Sequence, residues 1–288
     1  MNLLEETKYI MKKYNIKANK DLGQNFLVDS NVIQDIVDGA EIEKDDLVIE
    51  IGPGIGSMTA YLLEKAKKVI CIELDRKMIK ILNDRFIAYN NIELINEDIL
   101  KIDLNKIIKD EKEKNEIKNV KIVANLPYYI TTPIVMKLVE NNLDIYSITI
   151  MVQKEVAERL IEFPGGKNTG AITYTIYYYC DSKKIREVEK ECFLPMPDVE
   201  SEVINLKLRE SPAVYVKDKK VLFNLIKSGF MQRRKTLLNA LINTGAFKNK
   251  EEGIELLKLL NLKEDIRAEK LSLEDFANLT RLIVSLDH

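Results

Sequence analysis

Residues 47–56 constrain the fold of this chain more than any other stretch. Leu47–Ile51 (LVIEI) is a short apolar run rich in β-branched residues, and Gly52, Gly54 and Gly56 follow it at once. A run of this length bounded by glycine predicts a buried strand with a tight turn at its carboxyl end. Ser57 to Lys67 then reads as a helix. The unit recurs downstream. Val69–Glu73, Ile92–Ile95, Val120–Ala124 and Ser147–Val152 read as strands, and Asp75–Tyr89, Ile134–Glu140 and Lys154–Leu160 as helices. Strands alternating with helices predict an α/β fold, doubly wound around a mostly parallel sheet. Ala171–Tyr179 is apolar and aromatic, and is either strand or buried helix. Lys184–Val188 and Val203–Leu208 read as late strands.

Upstream, residues 1–20 read as an amphipathic helix or arm. Asp21 to Asp29 reads as a loop, and Ser30 as the N-cap of a helix over Val32–Gly39. Lys109–Lys118 is almost entirely charged and reads as a solvated surface segment. The pattern changes near Arg209–Pro212. Beyond it Val221–Phe230, Thr236–Ile242, Glu251–Leu259 and Leu273–Leu286 all have helical periodicity. The expected division is therefore a catalytic domain over residues 1–209, with an N-terminal arm over 1–29, and a small all-helical domain over 210–288.

The chain has 288 residues, 46% of them hydrophobic, which is enough for a sizeable core. Its formal net charge of −2 gives no global sign of a nucleic-acid partner. The charge is nevertheless uneven. Between Lys217 and Lys235 there are seven basic residues against Asp218 alone, and Lys8, Lys12, Lys13, Lys17 and Lys20 crowd the start. Such faces fit phosphate contact, although a charge run alone is more often a solvated helix face. Cys71, Cys180 and Cys192 have no Cys-x-x-Cys spacing, so neither a disulfide framework nor a zinc site is expected. No apolar run reaches the length of a membrane span, and Lys and Glu interrupt the start too early for a secretory signal. The expected location is the cytoplasm. No exposed apolar helix stripe stands out, which points to a monomer. The only histidine is His288. Ser-His and Cys-His mechanisms and histidine-held metals are therefore not expected, and the chemistry must do without an imidazole base.

In a doubly wound fold, ligands bind beyond the carboxyl ends of the strands. Gly52, Gly54 and Gly56 would let the backbone approach a ligand closely. Glu73, ending the second strand of the alternation, suits ribose hydroxyls, and Asp98, beyond the third, can accept from an adenine amino group. The glycine spacing is G-x-G-x-G, with Ser57 where a dinucleotide fingerprint would have its third glycine. With Glu50 before the first glycine, this resembles the turn that holds S-adenosylmethionine. The fourth strand delivers Asn125-Leu126-Pro127-Tyr128. Here the Asn125 side-chain oxygen and a backbone carbonyl can accept the two hydrogens of an exocyclic amine, and Tyr128 can stack on a base.

At this point the chain resembles the ribosomal RNA adenine dimethyltransferase family, and within it the members that act on the small ribosomal subunit. The matching segments are DLGQNFLVD (Asp21–Asp29), EIGPGIGSMT (Glu50–Thr59), IELD (Ile72–Asp75), NEDIL (Asn96–Leu100), NLPYYITTPI (Asn125–Ile134), MVQKEVAERL (Met151–Leu160), FLPMPDVESEV (Phe193–Val203) and GFMQRRKTLLNAL (Gly229–Leu241). They run through nearly the whole chain in the family's order. The resemblance implies a Rossmann-like methyltransferase sheet and S-adenosylmethionine as methyl donor, with no metal. It implies that two adjacent adenosines near the 3′ end of small-subunit (16S) rRNA are dimethylated on N6, within a partly assembled subunit.

Residue by residue, the resemblance implies that Asn25 and Leu27 contact the cofactor, that Gly52 lies under its methionine part, and that Glu73 holds the ribose and Asp98 the adenine. Asn125 would sit between cofactor and target amine, beside the Leu126 carbonyl. Tyr128 would stack on the target adenine, with Phe193 as a second wall. Tyr129 falls where members vary and receives no role. Lys220, Arg233, Arg234 and Lys235 would contact RNA, and residues 109–118 look like a lengthened surface loop. Three rival readings keep less of the pattern. They are a large-subunit adenine methyltransferase of the macrolide-resistance type, a non-catalytic assembly factor, and a nicotinamide dehydrogenase. The FLPMPDVESEV and QRRKTL segments, the intact site residues and the glycine spacing speak against them in turn.

Overall fold

The structure, a computed structural model, describes residues 2–19, 23–232 and 234–286. The chain folds into two compact units, 1–157 with 183–208 and 158–182 with 209–288.

The first unit opens with helix α1 (Leu3–Lys13), closed by an Asn2–Glu5 capping box. Strand β1 (Phe26–Leu27) and helix α2 (Ser30–Gly39) follow. The N-cap of α2 is Asp29 and not Ser30, because the Asp29 carboxylate accepts from the Asn31 and Val32 amides. Then come β2 (Leu47–Ile51), α3 (Thr59–Lys65), β3 (Lys68–Ile72), α4 (Arg76–Arg85), β4 (Ile92–Ile95), α5 (Leu104–Lys114), β5 (Val120–Asn125), α6 (Thr131–Glu140), β6 (Ser147–Gln153) and α7 (Lys154–Ile161). Helix α8 (Ala171–Tyr179), β7 (Cys180–Val188), β8 (Phe193–Leu194) and β9 (Ser201–Leu208) complete the mixed part of the chain.

Seven strands form one sheet in the order β4-β3-β2-β5-β6-β9-β7. Neighbours from β4 through β6 are parallel, and β9 runs antiparallel to β6. From β2 the chain winds outward through β3 and β4, then returns to β5 on the other side. The switch point therefore lies between β2 and β5, where a doubly wound sheet opens a crevice at its carboxyl edge. Every residue of β2 is buried, which is why its sequence lacks the alternation of a one-sided strand. The two short strands β1 and β8 pair antiparallel, Phe26 opposite Leu194 and Leu27 opposite Phe193.

Residues 109–118 are not a surface loop. Most of them belong to α5, which Asp103 caps. Leu104 and Ile108, four apart, are buried on one face of that helix. Glu111 is buried too, 2.8 Å from Lys68 Nζ, so one member of the charged run works inside the structure.

The second unit contains α8, together with α9 (Lys219–Met231), α10 (Leu237–Asn243), α11 (Lys250–Leu259) and α12 (Leu273–Leu286). Residues 158–182 join it because α8 is a helix with a buried aromatic face. Tyr174 is fully buried, its ring 5.4 Å from that of Phe230 and 5.2 Å from that of Phe276. The Tyr174 hydroxyl donates to the Leu271 carbonyl at 2.6 Å, which makes burial of a phenol tolerable.

Candidate active site

A cavity opens at the carboxyl edge of the sheet, lined from the ends of β2, β3 and β5, the segment after β4, and residues 23–27. The three turn glycines meet different constraints. Gly52 and Gly56 both have positive φ, +68° and +84°, which favours glycine. A Cβ on Gly56 would lie 2.6 Å from the Phe86 ring, whereas one on Gly52 would meet only the Asn125 carbonyl, at 3.9 Å. Gly56 is therefore needed for packing, and Gly52 leaves open space on the cavity wall.

Two acids stand on this wall with different surroundings. Glu73 is buried, and each of its oxygens takes one backbone amide: Gly54 donates to Oε2 at 3.1 Å and Asp75 to Oε1 at 2.8 Å. Burial pushes its pKa up, and those amides hold it back. Each oxygen keeps a further lone pair for a ligand hydroxyl. Glu50 is 1% exposed. Its Oε2 accepts from Thr59 Oγ1 at 2.6 Å, while its Oε1 has no partner among the described residues. Burial pushes this carboxyl up to about 7, against the Thr59 and Cys71 hydrogen bonds. An orphaned buried carboxylate oxygen is costly alone and suits a cationic group in the cavity.

Asp98 lines the far end of the cavity, its side chain a quarter exposed. Its Oδ1 accepts from the Leu100 amide at 2.9 Å, which fixes the turn after β4. Asn96 Nδ2 donates to the Glu73 and Leu74 carbonyls at 2.8 and 3.1 Å, tying the ends of β3 and β4 together.

Asn125 ends β5. Its Nδ2 donates to the Asn25 carbonyl at 3.2 Å. Its Oδ1 accepts nothing among the described residues, and neither does the Leu126 carbonyl. The Leu126 amide is held by the Met151 carbonyl at 3.1 Å, and the Pro127 carbonyl takes Thr131 Oγ1 at 3.1 Å and the Ile130 amide. The loop is thus pinned on both sides of two free acceptors. Tyr128 and Tyr129 begin a short 3₁₀ turn over Tyr128–Ile130. The Tyr128 hydroxyl lies 2.7 Å from Ser201 Oγ, with its ring half-buried. Burial pushes its phenol pKa up.

Of the residues expected at the site, Asn25, Leu27, Gly52, Glu73, Asp98, Asn125, Leu126 and Tyr128 all line this one cavity. Phe193 does not. It is 4% exposed and packs in the core with Leu27, Val203 and Met151, so its ring supports β1 and is not a wall of the cavity. Tyr129, which received no role, does line it. The missed signal was the doubled aromatic itself. Lys220, Arg234 and Lys235 are exposed in the second unit and make no ion pair among the described residues. Arg233 lies outside the described residues. Among the described residues no group of His, Cys, Asp and Glu could hold a metal ion. No helix among them is long and apolar enough to cross a membrane.

The family model described as "Ribosomal RNA adenine dimethylase" matches residues 15–284. The chain is 47% identical over 280 residues to the ribosomal RNA small subunit methyltransferase A of Alkaliphilus metalliredigens, covering 97% of this chain and 96% of that protein. It is 46% identical to the protein of that name from Clostridioides difficile, covering 96% and 94%. Among solved structures, a dimethyladenosine transferase from Plasmodium falciparum superposes with a TM-score of 0.74 at 27% identity, over 88% of this chain and 95% of that one. The 23S rRNA methyltransferase ErmE superposes with a TM-score of 0.67 at 22% identity, over 92% and 100%, a likeness of fold.

Proposed function

The chain belongs to the ribosomal RNA adenine dimethylase family, and from that premise we propose that the cavity described above transfers methyl groups from S-adenosylmethionine to the N6 amine of adenosines in small-subunit rRNA. The substrate we infer is a pair of adjacent adenosines near the 3′ end of 16S rRNA, presented by a partly assembled subunit in the cytoplasm to a monomeric enzyme. The observation that carries the reading is the pair of free acceptors at Asn125 and Leu126, held on a loop whose Asn125 Nδ2, Leu126 amide and Pro127 carbonyl are already bonded.

The residues fit the cofactor. S-adenosylmethionine supplies an activated methyl group on a positively charged sulfur. The orphaned Glu50 Oε1 is suited to positive charge in the cavity. Glu73 offers two preset oxygens to ribose hydroxyls, Asp98 an acceptor to the adenine amine, and Asn25, Leu27 and Gly52 the remaining wall.

The chain's own part in the chemistry is to prepare the amine. The lone pair of an adenine N6 is delocalised into the ring, so the amine is a poor nucleophile. Two acceptors, Asn125 Oδ1 and the Leu126 carbonyl, draw its hydrogens out of the base plane and expose the lone pair for in-line attack. No general base is required, because the nitrogen becomes acidic only after attack and then loses its proton to water. Tyr128 offers a ring for the extruded base, and Ser201 fixes the angle of that ring.

The test is methyl transfer from labelled cofactor to unmodified small subunits, with large subunits and free rRNA in parallel, followed by nucleoside analysis. Dimethyladenosine formed on small subunits alone is expected. Label on large subunits, or none anywhere, overturns the assignment. In the same assay Asn125→Ala should lower turnover by at least about 10²-fold, the cost of removing one preorganised acceptor, with cofactor affinity within a few-fold of wild type. Near-normal turnover would rule out the two-acceptor mechanism.

A further inference from the structure

Tyr129 is an aromatic ring at the mouth of the cavity that the mechanism above leaves unused. It lines the same cavity as Asn125 and is 57% exposed. Tyr128, its neighbour, is half-buried with its hydroxyl committed to Ser201. The two rings cannot flank one base as a pair of parallel walls. They are consecutive residues of a 3₁₀ turn, in which successive side chains diverge by about 120°. Tyr129 is also flanked on one side. A Cβ built on Gly23 would lie 3.4 Å from Tyr129 Cδ1 and 3.4 Å from Pro127 Cβ. Gly23 itself sits at φ +60°. Gly23 and Pro127 thus flank one side of the ring, and the space a methyl group on Gly23 would fill is left open. The Tyr129 hydroxyl has no hydrogen-bond partner among the described residues, so what the residue offers is a solvent-facing ring flanked on one side.

Resting on the adenine-methyltransferase reading, we propose that Tyr129 is the stacking platform for the unpaired base next to the target adenosine in the RNA chain. When one base is extruded toward Asn125, its neighbour loses a stacking partner on that side. A solvent-facing aromatic ring at the cavity mouth replaces that partner, whatever the base, because every base has a π-face. Tyr129 then sets how the strand is presented, and so which adenosine of a pair enters. It is a positioning residue for RNA and touches neither the reacting amine nor the transferred methyl.

The experiment compares wild type, Tyr129→Phe, Tyr129→Leu and Tyr129→Ala on unmodified small subunits, and on small subunits reconstituted with rRNA that is abasic at the position on either side of the target in turn. On the normal substrate Tyr129→Ala should lose about 5-fold to about 150-fold in kcat/KM, the worth of one stacked base. Most of the loss should lie in KM, with cofactor affinity unchanged. Tyr129→Phe should restore activity and Tyr129→Leu should not. One of the two abasic substrates should cost wild type the same factor and cost Tyr129→Ala nothing further. Independent, multiplying losses overturn the proposal, as does rescue by leucine, which would make Tyr129 a packing residue for Gly23. Wild type inactive on normal subunits would instead bring down the reading of the site itself, a distinct outcome.

Discussion

Asn125 has only one productive way to turn its amide. With the Asn25 carbonyl 3.2 Å away, the nitrogen must face it and the oxygen must face elsewhere. That contact joins two segments a hundred residues apart, so the sequence motif shows the amide but not its orientation. Glu50 lies inside the strand that the sequence predicts as buried, and its carboxyl is fully buried with it. Its pKa, raised by burial from 4.5 to about 7, has a consequence for stability. The folded protein holds a proton on Glu50 more tightly than the unfolded chain does. This contribution is therefore complete below about pH 4.5 and is lost as pH rises through about 7. A shift of that size corresponds to about 3 kcal/mol. Glu50→Gln keeps an oxygen for Thr59 and removes the titration. Urea denaturation at a series of pH values from 5 to 8 should show wild type losing up to about 3 kcal/mol relative to the variant. Parallel curves would mean that Glu50 ionises in the folded protein as it does in the unfolded chain.

At the scale of elements, the strands of the parallel sheet were legible because buried parallel strands are short uninterrupted apolar runs. Val120–Ala124 and Ser147–Val152 lie within β5 and β6 as the sequence delimits them. Three elements were misread or left open for definite reasons. Helix α5 hides in a charged run, since only Leu104, Ile108 and the buried Glu111 mark its inner face. Helix α8 is apolar over nearly all of Ala171–Tyr179, so neither period stands out, and only its packing decides. Strand β1 is two residues long and exists through its pairing with β8, which no local pattern reports. The same pairing draws Phe193 away from the cavity. The glycine turn was legible as a turn, but not the different duties of its glycines. Gly56→Ala would force a Cβ against Phe86 and Leu82 in addition to the strain of φ +84°, a loss of about 2–5 kcal/mol. Gly52→Ala meets open space, so it should cost only about 1–2 kcal/mol of strain. Its methyl group stands on the cavity wall, and cofactor affinity should fall more for Gly52→Ala than for Gly56→Ala. Denaturation and calorimetric titration of the two variants test that crossover; equal rankings in both measurements would refute it.

Over the whole molecule the net charge of −2 gives no attraction to RNA, so any such attraction must be local. Several described lysines of the first unit are paired with acids. Lys154 lies 3.0 Å from Glu187, Lys184 2.5 Å from the same carboxylate, Lys118 2.5 Å from Glu43, and Lys112 2.5 Å from Asp144. Burial and pairing together mark the Lys121–Asp46 contact at 2.8 Å as part of the core. In the second unit Lys220, Arg234 and Lys235 are exposed and without ion pairs among the described residues, and Asp218 is occupied as the N-cap of α9. An unneutralised basic cluster is an arrangement that meets phosphates. If these three residues each displace a counterion from single-stranded RNA, replacing all three by glutamine should reduce the magnitude of the log Kd against log salt slope by about 2. Affinity should also weaken at low salt and converge with wild type as salt rises. Filter binding of unmodified small subunits between 50 and 300 mM salt (about a sixfold span, wide enough to read a slope) measures this, with cofactor affinity as the check that the first unit is intact. A variant that keeps the wild-type slope would return the cluster to a solvated helix face and leave recognition to the cavity mouth.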